Sequence, residues 1–305
     1  MNTIYDILIL GAGPIGAGTA YCLSRKGKKK IGIITIEPEA TAYATYQYAG
    51  GCVRWFWDDP VKIEATKVTA DFIKKISKAG VDVSLHQDTY LFLHRGKHVP
   101  AINISSAKLI SYFKGEARSK GVKIHEGETV ASVKEENGVA TVITDKGTYQ
   151  AKKVLLAMGA ENARFMPEYE LEKEERYLMV LDIPVTDEEM TFPHTIVPVG
   201  GGVAFLFIKK LPEGWRFVLG QENVLGVPKQ SQIKAHYRAL LESSLGELMP
   251  FLKKAKVERT LFGTDVENKT LLLKQHGALY AANCGSAVRS CVYLANKISE
   301  ALNAK

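Results

Sequence analysis

The groups in this chain best suited to chemistry are three glycines, an acid and two arginines set in unusual company. Gly11, Gly13 and Gly16 stand in G-x-G-x-x-G order with Pro14 and Ile15 between them, and Glu37 follows 21 residues after Gly16. That spacing suits a nucleotide. The first glycine permits a tight turn, the second lets a pyrophosphate approach the backbone, and the third lets a helix pack close to a strand. A carboxylate about 20 residues further on is placed to accept from ribose hydroxyls. A second group, "YQYAGGCVRWFWDDP" from Tyr46 to Pro60, puts the adjacent Gly50 and Gly51 before Arg54 and surrounds the arginine with Trp55, Phe56 and Trp57. It offers bare backbone, one cation and a broad aromatic surface. A third, "NCGSAVRS", sets Gly285 and Ser286 just ahead of Arg289.

The elements around the glycines agree with this use. "YDILIL", Tyr5 to Leu10, is a continuous apolar run of the kind buried on both faces of a parallel sheet, and a helical stretch from Ala17 to Arg25 follows the glycines. "IGIITIE" is a second such run, ending in Glu37. Strand, glycines, helix, strand and acid together predict a Rossmann-type nucleotide site. Further on, Ser106 to Ala117 carries helical spacing and is closed by Gly121. Asn137-Gly138 and Lys146-Gly147 then separate alternating runs as hairpin turns. Val154 to Met158 reads as another buried parallel strand, stopping at Gly159.

Composition narrows the field. The chain has 305 residues, 46% of them hydrophobic, enough for a large core in one or two domains. Its net charge of +7 is spread out, with one cluster, "RKGKKK", from Arg25 to Lys30, which makes a nucleic-acid partner a poor expectation. Four cysteines show no C-x-x-C pair and no zinc-type spacing, so no metal site is expected and a reducing, cytoplasmic setting is. The apolar N-terminus lacks a basic n-region and is broken by Pro14 and its glycines, which argues against a membrane span. No G-x-S-x-G elbow supports a hydrolase.

In its order of motifs the chain resembles the FAD-dependent oxidoreductases of the D-amino-acid oxidase, glycine oxidase and sarcosine oxidase type. A helix, a strand placing Val130 beside the adenine, a small meander and the strand end "VLLAMGA", with Ala157 and Gly159, follow one another as in that family. The resemblance implies FAD bound in an extended form, its pyrophosphate on the first helix. Gly50 and Gly51 would let the backbone lie against the ring, and Arg54 aligns with a position that holds the substrate carboxylate in the sarcosine oxidase branch. The three aromatics beside it would exclude water, or are simply core. The closing segment "KQHGALYAANCGSAVRSCVYLANKISEALNAK" resembles the family's last strand, turn and helix, with Gly285 and Ser286 in the turn at the flavin and Arg289 as second arm of a carboxylate clamp or a helix-start arginine in solvent. The turn has one glycine where the family usually has two or three. Cys284 and Cys291 raise a covalent flavin bond, which nothing in the sequence requires.

Between Arg164 and Thr260 lie strand-like runs broken by prolines and glycines, then one helix from Gln230 to Leu245. The expected fold is therefore α/β: a Rossmann-type FAD-binding domain over 1–80, 106–163 and 262–305, interleaved with a mostly antiparallel α+β substrate domain over 81–105 and 164–261. The implied substrate is a small amino acid, N-substituted amino acid or 2-hydroxy acid with a carboxylate. Two rival readings stand beside it. One is the catalytic flavoprotein subunit of a multi-subunit dye- or quinone-linked dehydrogenase, suggested by the short chain; the other is an FAD-containing RNA-binding or RNA-modifying protein, suggested by the charge alone. A partner subunit or a homo-oligomer is open on both flavoprotein readings.

Overall fold

The computed structural model describes residues 4–36, 51–54, 59–92, 97–166, 173–187, 192, 194–199, 202–211, 213–222, 230–266, 272–283 and 287–304. Two eight-stranded sheets organise them. The first contains β1 (Ile4–Leu10), β2 (Ile31–Thr35), β6 (Lys123–Glu126), β7 (Val130–Glu136), β8 (Val139–Thr144), β9 (Thr148–Leu156), β15 (Leu272–His276) and β16 (Leu279–Asn283). Its path runs β15-β16-β9-β1-β2-β6, parallel from β16 to β6, with the antiparallel β7–β8 hairpin attached to β9. That hairpin turns on Asn137 and Gly138, both at positive φ (53° and 75°), as a two-residue loop between right-twisted strands demands.

Strand β1 shows why this sheet forms. Its residues alternate between two cores: Ile7 and Ile9 pack with Ile33, Leu155 and Leu294 on one side, while Leu8 and Leu10 pack with Ile34, Val142 and Leu156 on the other. A run with no polar face can sit only in such a double-sided layer. The helices α1 (Pro14–Ser24), α2 (Pro60–Lys78), α3 (Ser106–Ser119) and α7 (Ala287–Asn303) build a layer on the first side. The Asp59 side chain caps α2 by accepting from the Val61 N–H at 2.9 Å, and Pro60 occupies its first turn, where a missing N–H costs nothing.

The second sheet runs β14-β10-β13-β12-β11-β4-β5-β3. Its strands are β3 (Cys52–Arg54), β4 (His86–Phe92), β5 (Lys97–Asn103), β10 (Lys173–Pro184), β11 (His194–Val199), β12 (Gly202–Leu211), β13 (Gly214–Glu222) and β14 (Val257–Val266). All pairings are antiparallel except β11 with β4. The fold is thus α/β, a parallel nucleotide-type sheet joined to a mostly antiparallel one.

One face of the second sheet, with Met179, Leu206, Ile208 and Phe217, is covered by α5 (Gln230–Glu242) and α6 (Ser244–Leu248). The single helix expected from Gln230 to Leu245 is in fact these two. Ser243 leaves helical geometry, and Gly246 folds back so tightly that a Cβ there would meet the Leu241 carbonyl oxygen at 2.2 Å. Among the described residues no helix is long and apolar enough to cross a membrane.

Candidate functional site

The glycine turn joins three elements through bare backbone. Gly11 has φ +98°, and a Cβ on it would sit 2.5 Å from the Ala157 carbonyl oxygen; a Cβ on Gly16 would sit 1.9 Å from the Gly11 carbonyl oxygen. The ends of β1 and β9 and the start of α1 therefore touch without side chains. Gly13 is the N-cap of α1, Pro14 its first residue, and no side chain caps the helix. A glycine N-cap gives the first-turn amides no side-chain partner of its own, and the helix end carries a partial positive charge, an arrangement that fits the pyrophosphate of FAD. Ile15 is buried against the first sheet, and Gly159, at φ +62°, starts the turn after β9.

Val130 is buried at the start of β7 with Leu10, Ile34 and Leu156. A polar network fixes the strand that carries it. Tyr149 Oη donates to the Glu128 carboxylate at 2.9 Å, Thr144 Oγ1 donates to the same group at 2.8 Å, and Tyr5 Oη meets His125 Nε2 at 2.9 Å. Burial, then the bond to Glu128, pushes the Tyr149 hydroxyl up to about 12. Burial also holds the His125 ring below its ordinary range, against the pull of Glu128.

Asn162, which sequence reasoning missed, lies three residues past Gly159 at the start of α4 (Asn162–Phe165). It is fully buried; its Oδ1 accepts from the Met158 N–H at 2.8 Å and its Nδ2 donates to the Ala282 carbonyl at 3.0 Å. One side chain thus ties the end of β9, packed on Gly11, to β16, which leads toward α7.

At the other end, Gly51 has φ +67°, and a Cβ would meet the Ile104 carbonyl oxygen at 2.0 Å, so only glycine fits. Arg54 ends β3 opposite Ala101 on β5. Arg289 lies half-buried in the first turn of α7. Their neighbours Val53 and Val288 share one core with Ala17, Ile73 and Phe113, which brings the two backbone positions to the same junction. Glu37, Gly50, Gly285 and Ser286 lie outside the described residues, as do Trp55, Phe56, Trp57 and Cys284. Cys291 is fully buried among the helices, and burial pushes its thiol up to about 12, which keeps it protonated.

The same junction holds polar groups that sequence reasoning passed over. Asn103, fully buried at the end of β5, donates from Nδ2 to the Ile208 carbonyl at 2.5 Å and lies 3.3 Å from His194 Nε2. Its Oδ1 would be 3.2 Å from a Cβ on Gly51. His194 and Lys209 are also buried, and the His194 ring stands 5.1 Å from Phe207, itself stacked on Phe205. No local pattern marks these residues, because they meet across about a hundred positions of chain.

The chain belongs to the FAD dependent oxidoreductase family, whose model matches residues 6–105 and 98–287. FAD is accordingly its cofactor. Over 208 residues it is 25% identical to the bifunctional protein ThiO/ThiG of Synechocystis sp. (strain ATCC 27184 / PCC 6803 / Kazusa), a match covering 55% of this chain and 32% of that protein. The chain therefore spans about a third of the curated relative it matches. Among solved structures it is similar to L-proline dehydrogenase from P. horikoshii, at 17% identity and a TM-score of 0.78, covering 99% of this chain and 94% of that one. Glycine oxidase from Bacillus cereus ATCC 14579 gives 16% and 0.71, covering 98% and 97%; iminodiacetate oxidase (IdaA) from Chelativorans sp. BNC1 gives 17% and 0.74, covering 96% and 94%. At these identities the structural likeness speaks for the fold.

Proposed function

We propose that the chain oxidises a small amino acid, N-substituted amino acid or 2-hydroxy acid, and that its two sheets divide the work. Segments 1–80, 106–163 and 262–305 hold the cofactor, with β3 reaching from them into the second sheet; segments 81–105 and 164–261 cover the substrate. FAD, when bound, supplies a hydride acceptor at N5 of its ring. The chain's own residues then bind and align the carbon that gives up the hydride.

In this reading Gly11, Gly13, Pro14, Ile15 and Gly16 hold the pyrophosphate, Glu37 the ribose, and Val130, Ala157 and Gly159 flank the adenosine side. Gly50, Gly51, Gly285 and Ser286 line the ring. Arg54 and Arg289 clamp the substrate carboxylate, and the observation that carries this is the shared core of Val53 and Val288, which sets both backbones at one junction. The face of the second sheet turned away from α5 and α6, with Phe205 and Phe207, excludes water from the reacting carbon.

Steady-state dye reduction by carboxylic acids and by their amides tests the clamp. Losing one charge-assisted hydrogen bond costs about 1.5–3 kcal/mol, so Arg54→Gln and Arg289→Gln should each raise KM for the acid roughly 10- to 150-fold. Neither should change the poor use of the amide. Variants that use the acid like the parent enzyme would remove the clamp.

A further inference from the structure

The basic run "RKGKKK", Arg25 to Lys30, is the charge cluster of the sequence that the function proposed above does not use. It follows α1 and leads into β2, at the end of α1 opposite the glycine turn. There it lines a cavity of about 540 Å³, with Lys28, Lys29, Lys30 and Lys120 in its walls and Ile31 and Val122 as its apolar part. Lys120 arrives as the C-cap of α3, brought beside the run by the parallel pairing of β2 with β6, Gly32 against Lys123. Gly27 leaves the cleft open, since a Cβ there would meet nothing within 4 Å.

The partners of these cations are mostly neutral. Lys29 Nζ donates to Asn303 Oδ1 at 2.5 Å, Lys26 Nζ donates to Ser299 Oγ at 2.9 Å, and Lys30 Nζ stands 5.8 Å from the centre of the Tyr5 ring. The described acids of this region are already engaged. Asp6 accepts from Lys152 Nζ at 2.7 Å and from the Lys30 backbone N–H at 2.9 Å, with Lys29 a smaller influence on its carboxyl. Glu116 pairs with Arg25 at 3.0 Å, and Glu126 with Lys114 and Arg118 at 2.8 and 3.2 Å. Among the described residues no acidic side chain pairs with Lys28 or Lys120. Basic residues also suit helix C-termini, and α1 and α3 both end here. Each helix end carries about half a negative charge, so the two offset about one of the four lining lysines. About three positive charges remain in one small cleft, and they repel one another until an anion enters.

We propose that this cleft is a binding site for a short inorganic polyphosphate, of pyrophosphate or triphosphate size. The surplus charge calls for an anion of about three charges or more. The lining cations are lysines, point charges whose N–H groups meet the oxygens of a tetrahedral phosphate from any side, whereas a planar carboxylate is held best by an arginine fork; among the described residues no arginine lines the cavity. No aromatic ring lines it either, so a nucleotide would gain nothing from stacking its base. The 11 residues of α1, about 16 Å of helix, separate the cleft from the glycine turn, so it neither competes with FAD nor depends on the function proposed above. A phosphate chain held there ties the ends of α1 and α3 to the start of β2, and so stabilises the first sheet.

The test is isothermal titration calorimetry of the FAD-loaded protein with tripolyphosphate at about 0.15 M salt, where exposed charges more than about 8 Å apart are largely screened. Loading FAD first fills the cofactor's own pyrophosphate site. The result expected is one site per chain with Kd below about 1 mM, no release of flavin and a higher unfolding midpoint. ATP should bind no more tightly than tripolyphosphate, and citrate more weakly. The double variant Lys28→Gln/Lys120→Gln should raise Kd at least about 10-fold. Lys253→Gln/Lys254→Gln, which removes the same charge from two exposed lysines next to Leu252 of the second sheet's core, should leave it within a factor of two. No saturable binding to the parent below about 1 mM overturns the proposal and makes the run a solvated surface, a result that needs no variant to fold. Equal losses in the two double variants overturn it in favour of a diffuse field. ATP or citrate binding more than about 10-fold tighter than tripolyphosphate overturns the choice of ligand, as does an RNA oligomer that binds the protein and that tripolyphosphate does not displace.

Discussion

Replacing Gly16 by alanine asks the nucleotide turn to accept one methyl group. That methyl would start 1.9 Å from the Gly11 carbonyl oxygen, whereas ordinary contacts begin near 3.4 Å, so α1 and the turn must part by about 1.5 Å. Neither can yield freely. Gly11 is held against Ala157 on one side, and α1 is packed on α7 through Gly18, where a Cβ would already lie 3.2 Å from the Ala295 Cβ. Inserting a methyl into such a contact costs about 1–3 kcal/mol. Because the displaced element is the helix end to which the pyrophosphate is assigned, most of this should appear as lost cofactor affinity, about 5- to 140-fold in Kd. Titrating apoprotein with FAD and following the quenching of flavin fluorescence measures it, with thermal unfolding of the apoprotein as the control for general damage. A Gly16→Ala protein that binds FAD within a factor of two of the parent would refute this use of the turn.

Asn162→Ala strands the Met158 N–H and the Ala282 carbonyl in the interior, at about 1–3 kcal/mol each; urea unfolding should show a loss of about 2–6 kcal/mol, and a change below about 0.5 kcal/mol would contradict the bracing role. His125 gives a pH dependence of definite sign. Its folded pKa is depressed, so the unfolded chain takes the proton first; this contribution is complete above about pH 6.5 and is lost as pH falls from there through the folded value. Unfolding midpoints at about pH 7 and pH 5 should therefore differ less in His125→Gln than in the parent, and an equal or larger difference would tell against it.

The two ends of the site were legible to different degrees, for a physical reason. The turn proposed for the pyrophosphate is built from residues adjacent in sequence, and each glycine answers a local demand, so Gly11, Gly13 and Gly16 announce themselves. Strands such as β1 and β9 are continuous apolar runs because they are buried on both faces, and that too survives in one dimension. The end proposed for the substrate is built from long-range encounters. Asn103 meets His194 and Ile208 across 91 and 105 positions, and no short motif records such a meeting. Gly32 looks like an incidental glycine in β2, yet a Cβ there would lie 2.8 Å from the Tyr5 ring, which crosses at that point to reach His125, 120 positions away. Lys209 reads as half of an ordinary lysine pair until the sheet assigns it and Lys210 to opposite sides.

The most direct measurement is the visible spectrum of the purified holoprotein without oxygen, before and after adding amino acids, N-methyl amino acids and 2-hydroxy acids in turn. Bleaching of the flavin band by one of these acids, with colour returning on exposure to air or to an added acceptor dye, is the result expected. A flavin band that none of these acids bleaches would contradict the substrate site assigned to Arg54, Arg289 and the face of the second sheet.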